Sequence, residues 1–239
     1  MSGSAHEARH RVANTVWELV EPVFRSLEGI AKRADAVFAS GPRTTASSAR
    51  LAETIRSALR RHPRLVDGIG VAFAPGFLTD AARWLEWWRS CPDGASAFMP
   101  HVFDETSIDH YDYERMPWFA AASASERGVA TGPYIDSGGT NLHVITAGFP
   151  GRAGGACGVV GADLRPDSLE RAFRRACPAQ ERAMLLINAR HRVIASTRAN
   201  WIVGDVLDAR GAAQFEWLEL RSVSADRTPW LVGSERATR

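Results

Sequence analysis

Asp136 and Asp163 are the residues of this 239-residue chain best placed to do chemistry. The first follows Gly132-Pro133-Tyr134-Ile135 and opens onto a tight Ser137-Gly138-Gly139 turn. The second lies near the end of a run, Cys157 to Leu164, that reads as a strand. The two carboxylates therefore stand at the edges of neighbouring strands, with large aromatics just upstream: Tyr111, Tyr113, Trp118 and Phe119. Two carboxylates taken out of water need a cation between them, or one must take up a proton. An ammonium group would supply that cation, and the rings of Trp118 and Tyr134 would add cation–π attraction of about 0.5–2 kcal/mol each. The pattern predicts a small pocket with an acidic end and an aromatic wall. Plainer roles stay open for each residue. Asp136 can serve only its turn, and Asp163 can cap the helix that follows. Tyr134 can be core packing, and Tyr113 and Arg115 can face solvent.

Other chemistries are poorly supported. His143 alternates with Leu142 and Val144 on a strand, but no GxSxG elbow accompanies it. The run holding His101, Asp104, Glu105, Asp109, His110 and Asp112 lacks a recognised metal-ligand spacing. Phosphate loops and dinucleotide fingerprints are missing from the sequence, and Gly151 to Gly158 reads as a hairpin turn. No cofactor is expected. With 29 basic against 27 acidic residues the net charge is +2, so nothing calls for nucleic acid or an anionic membrane surface. Cys91, Cys157 and Cys177 are few, odd in number and widely spaced, which suits a reducing compartment. The N-terminal stretch carries Glu7, Arg9, Arg11, Glu18 and Glu21, so no leader or membrane span is expected there, and the chain is expected to be cytoplasmic.

The positioning elements follow from periodicity. Val12, Val16, Leu19, Val23, Leu27, Ile30, Ala34 and Val37 recur at spacings of three and four, predicting an amphipathic helix over residues 8–39 with a kink or break near Pro22. Its near-heptad stripe suits either packing on its own sheet or pairing with a second copy. A second helix is predicted over 46–61, capped by Thr44 or Thr45, and a strand over 66–77. The AARWLEWWR segment fits both periods. A short helix over 119–127 and another over 166–175 are expected. A hairpin over 183–197, turning at Ala189-Arg190-His191, and strands near 215–223 and 229–233 complete the chain.

The central stretch resembles the ligand-binding half of a Cache domain, the PAS-like sensor domain of bacterial receptors. The resemblance rests on Tyr111, Trp118, the Pro133-Tyr134-x-Asp136 turn and Gly158-Val159-Val160-Gly161-Ala162-Asp163-Leu164. It implies a strand for AARWLEWWR and an α+β fold. That fold has a long N-terminal helix (1–45), a central antiparallel PAS-like sheet with flanking helices (46–178), and a smaller second α/β module (179–239). It also implies ligand-binding roles for Tyr111, Trp118, Tyr134, Asp136 and Asp163, with Tyr113 and Arg115 beside them. In members that bind amino acids, an Arg two residues before the Trp takes the ligand carboxylate. Here Met116 holds that position, and Phe119 stands where the family has a Tyr. The resemblance thus implies a non-enzymatic sensor for an amine, or for an amino acid if Arg115 swings in, that signals to a partner protein; a homodimer through the N-terminal helix stays open from its near-heptad stripe. Two alternatives stay open: a dimerising interaction protein with a vestigial pocket, and a small metal-dependent hydrolase.

Overall fold

The computed structural model describes residues 2–152, 157–178, 182–220 and 230–236. The chain gathers into two compact units. One comprises Met1–Glu21, Gly132–Tyr134 and Pro166–Arg239, and the other Pro22–Thr131 and Ile135–Arg165. The first helix, α1 (Ser2–Phe38), is shared between them and runs through Pro22 without the break its sequence suggests. Its apolar stripe is consumed inside the chain, since Val12, Val16, Val23, Leu27, Ile30 and Val37 are all buried. Packing of this stripe holds the helix across the hydrogen bond that Pro22 cannot donate.

The larger unit is built on a six-stranded antiparallel sheet. Its strands are β1 (Val66–Phe73), β2 (Leu85–Ser90), β3 (Ser96–Phe98), β4 (Val129–Ile135), β5 (His143–Gly151) and β6 (Gly158–Leu164), in the order β3-β2-β1-β6-β5-β4. The helices before β1 are α2 (Thr45–Ser48), a single 3₁₀ turn, and α3 (Ala52–Arg61). Thr44 caps the start of α2, accepting from the Ser47 amide, as its residue type predicts. Of the segment with two readings, AARWLEWWR, the part from Leu85 onward resolves as strand β2, and residues 81–84 form no strand. β1 ends at Phe73, four residues short of the expected limit, and Phe77 folds back so that its ring lies on those of Phe73 and Phe38.

Pairing register divides the sheet residues between two faces. Ile69, Val71, Val160, Ala162, Leu164 and Ile145 lie on one, all buried. Helical side chains pack on this face: Phe38 meets Phe73 edge to face, and the Arg56 guanidinium lies over the Trp88 ring. Buried Glu86, also here, accepts from Ser48 Oγ and Trp88 Nε1, so its carboxylate is satisfied.

The opposite face holds Trp87 and Arg89 of β2, Gly68 and Gly70 of β1, Gly161 and Asp163 of β6, and Thr146 and Gly148 of β5. The glycines hollow the sheet there. The short helix α4 (Pro117–Ala124), with a 3₁₀ turn over Tyr113–Arg115 just before it, packs against β5 and β6.

The smaller unit carries a four-stranded sheet of β7 (Met184–Asn188), β8 (Val193–Ser196), β9 (Phe215–Glu219) and β10 (Trp230–Glu235), ordered β8-β7-β10-β9. The predicted hairpin is present, with His191 in the left-handed region at φ 56°. Helix α5 (Pro166–Ala176) packs on β8, and the single-turn α6 (Ala209–Ala212) is capped by Asp208. Arg9, near the start of α1, reaches Ser234 and Glu216. Of the expected strand over 215–223, residues 221–223 lie outside the described residues, as does Ala179, where the second module is expected to begin. None of the described helices is long and apolar enough to cross a membrane.

Candidate ligand site

Asp136 lies just past the end of β4 and is buried. Its Oδ1 accepts from the Tyr111 hydroxyl at 2.9 Å, and its Oδ2 accepts from the Thr140 amide at 2.7 Å and hydroxyl at 3.0 Å. Asp136 therefore serves its turn and also ties Tyr111, 25 residues upstream, to the sheet edge. The turn role left open by the sequence holds for it.

Asp163 sits on β6, buried, and accepts from Thr146 Oγ1 of β5 at 2.8 Å. It points from the hollowed sheet face rather than serving as a cap for α5. Burial is the largest influence on its carboxyl, and Asp136 nearby is the next; together they hold it well above the ordinary carboxylate range. Thr146 and Arg89 pull the other way without overcoming them. Two buried carboxylates thus share one region of low dielectric.

The cations one would look for do not neutralise the pair. His101 stacks on Tyr111, ring centroids 5.1 Å apart, and feels Asp136, but burial drives its imidazole down to about 4, so it is neutral at physiological pH. Arg115 is turned to solvent, its side chain 89% exposed and paired with Asp112. The structure does not bring it to the aspartates. Arg89, on the same sheet face through Gly68, is forked onto Asp67 at 2.9 and 3.1 Å.

The aromatic wall is only partly the expected one. Trp118 is buried at the start of α4, where Pro117 occupies the first helical turn and its missing amide costs nothing. Its ring lies 6.1 Å from that of Trp87, and both pack onto Gly161. Tyr113 is fully buried, but its hydroxyl donates to the Phe73 carbonyl at 2.7 Å and burial pushes it up to about 12, so it acts as a structural donor. Tyr134 is half-buried near the end of β4. Phe119 packs edge-on between Trp118 and Tyr113.

The structure therefore gathers Tyr111, Trp118, Asp136 and Asp163, and adds Trp87, His101 and Thr146, which sequence reasoning did not select. The alternation of β2 would have placed Trp87 had its strand register been known. The His101–Asp112 run forms no metal cluster: among the described residues no three of His, Cys, Asp and Glu converge. His143 is exposed at the start of β5.

Gly161 is the pivot of the floor. A β-carbon there would come within 2.9 Å of Trp87 Cη2 and 3.6 Å of Trp118 Cζ3. Gly161→Val is expected to displace both rings and lower stability by about 1–3 kcal/mol, read as a drop of several degrees in Tm.

An antiparallel sheet with side chains of α1 and α3 on one face, and buried carboxylates, aromatics and the short helix α4 on the other, is the build of a small-molecule sensor domain. The chain belongs to the family of methyl-accepting chemotaxis protein-like first PDC sensor domains, whose family model matches residues 51–171, half of its length. The match agrees with the Cache resemblance and with the α+β architecture. Solved structures of similar fold cover nearly all of the chain. The ligand-binding domain of the Pseudomonas fluorescens chemoreceptor CtaA, in complex with L-serine, aligns with a TM-score of 0.69 at 17% identity, covering 98% of this chain and 96% of that one. The ligand-binding domain of the Campylobacter jejuni chemoreceptor Tlp3, in complex with L-valine, aligns with a TM-score of 0.67 at 11% identity, covering 99% and 92%. The Pseudomonas aeruginosa amino acid chemoreceptor PctC, in complex with GABA, aligns with a TM-score of 0.62 at 14% identity, covering 96% of each chain. A search of the curated proteins finds no match.

Proposed function

We propose that this sensor domain recognises a primary amine, whose ammonium group settles between Asp136 and Asp163 with Tyr111 and Trp118 beside it. The observation that carries the reading is the buried carboxylate pair to which, among the described residues, the candidate cations bring no free charge: His101 is held neutral, Arg115 faces solvent, and Met116 stands where the family's Arg would be. An ammonium there exchanges water for charge-assisted hydrogen bonds in a dry site. We read the domain as non-catalytic, working by tightening around its ligand and biasing a partner protein. The few, odd-numbered and widely spaced cysteines, Cys91, Cys157 and Cys177, support a cytoplasmic setting. Pairing through α1 would have to use the half-buried Trp17 and Leu19, because the rest of its apolar stripe is covered.

A second reading, an amino acid ligand, draws on Arg89. Gly68 is paired with Arg89 on one side and with Asp163 on the other, so a ligand carboxylate could meet that guanidinium. Its engagement with Asp67 argues against this. A thermal-shift panel of putrescine, agmatine, ethanolamine and the amino acids separates the readings. A ligand at 100 times its Kd adds about 2.7 kcal/mol, several degrees in Tm. Shifts with amines are expected. Shifts confined to amino acids would move the assignment to the second reading, and a flat panel would remove both.

A further inference from the structure

We propose that a second cavity of the larger unit binds a small organic oxyanion, a carboxylate or phosphate carried on an apolar body. This cavity, of about 770 Å³, is lined by none of the seven residues selected from the sequence. Among the described residues its charged lining consists of three guanidiniums, those of Arg60, Arg89 and Arg165, against the single carboxylate of Asp67.

Asp67 falls where β1 shifts register against β6, between Val66 and Gly68. Such a bulge re-aims a side chain that would otherwise follow strand alternation. Both of its oxygens are taken. Arg89 Nε and Nη2 donate to Oδ2 at 3.1 and 2.9 Å, and Arg165 Nε and Nη2 donate to Oδ1 at 3.3 and 2.9 Å. One negative charge thus holds two positive charges in fixed forks, and an excess of positive charge is left at the cavity. Among the described residues Arg89 Nη1 has no hydrogen-bond acceptor, and Arg165 Nη1 reaches only the Pro63 carbonyl at 3.3 Å. Arg60 lines the cavity with its side chain 48% exposed and, among the described residues, pairs with the exposed Glu53.

Guanidinium forks match carboxylate and phosphate geometry, and forks already ordered by Asp67 lose little freedom when an anion arrives. Much of the remaining wall is apolar, with Leu59, Phe98 and Met99 among its residues and Phe98 37% exposed. The cavity volume falls in the range of about 300–1,000 Å³ usual for small-molecule sites.

The test follows the Nε–H resonances of Arg89 and Arg165 by nitrogen-15 NMR while the intact protein is titrated with benzoate, inorganic phosphate and neutral benzamide. Saturable shifts with benzoate, weaker ones with phosphate and none with benzamide are expected. Arg165→Gln and Arg60→Gln should each weaken benzoate about tenfold or more, the loss of a charge-assisted hydrogen bond. Arg60 is exposed enough that its replacement leaves the fold standing. No saturable shift with either oxyanion would overturn the proposal, as would benzoate affinity in both variants unchanged from that of the parent protein. Ethanolamine titrated into the same samples reports on the amine site alone, so failure here and failure there are told apart.

Discussion

Replacing Asp163 with Asn is expected to leave the domain folded and to weaken amine binding by at least about a hundredfold, because removing one partner of a buried charge pair costs about 3–5 kcal/mol. The fold should survive because an Asn carbonyl can still accept from Thr146 Oγ1, which donates to Asp163 at 2.8 Å. The empty variant should melt no lower than the parent, since the change deletes a carboxyl that burial and Asp136 already hold against ionisation. Asp136→Ala makes the contrast. It strips the acceptor from Tyr111 and from Thr140 and should lose stability along with binding, about 1–3 kcal/mol for each donor left buried. Calorimetric titration paired with thermal unfolding reads both variants. Unchanged amine affinity in Asp163→Asn would remove Asp163 from the site.

Affinity for an amine is also expected to rise with pH. Below its raised pKa the empty protein carries a proton on Asp163, and an ammonium ligand must expel it. One proton released per ligand gives about a tenfold gain in affinity per pH unit, levelling off once the carboxyl ionises by itself. The ligand stays charged throughout, because alkyl ammonium groups titrate near 10, as lysine does. Stability of the empty domain runs the other way. A carboxyl whose folded-state pKa is raised contributes stability that is fully present below its unfolded value of about 3.9 and is lost as pH climbs through the folded value. The Tm increment from a saturating amine should therefore grow with pH, and Asp163→Asn should flatten it. A pH-independent affinity in the parent protein would show that Asp163 holds no proton for the ligand to displace.

Much of this was readable from residue spacing, and the remainder depended on pairing register. The α1 stripe at three- and four-residue intervals, the capping Thr44 and the glycine-punctuated strands each carry a local signal that placed the element but not its limits: α1 begins at Ser2, β1 stops at Phe73, and the helix expected over 46–61 is broken by a 3₁₀ turn. The Tyr111, Trp118, Asp136 and Asp163 set came from family spacing, and its geometry required the folded chain. Thr146 reaches Asp163 only because β5 and β6 pair in one particular register, which a sequence does not print. Trp87 looked like one tryptophan among several until β2 was shown to turn Trp88 to the helices and Trp87 to the glycine floor. His101 lies in an irregular stretch without period, so nothing local pointed it at Tyr111. Arg115 was nominated by its distance along the chain, but the 3₁₀ turn over Tyr113–Arg115 buries the tyrosine and sends the arginine outward. Asp67, held between two arginines, depends on a bulge and has no sequence signature at all.

The most direct test compares ethanolamine with L-serine by calorimetric titration at neutral pH. The two share an ammonium and a hydroxyl and differ by one α-carboxylate. If an ammonium between Asp136 and Asp163 is what the site recognises, with no arginine at 116 to meet a carboxylate, ethanolamine binds and L-serine binds at least about tenfold more weakly, the extra charge being left without a partner near two acids. L-serine binding as tightly as ethanolamine, or more tightly, would contradict the account and give the carboxylate to Arg89.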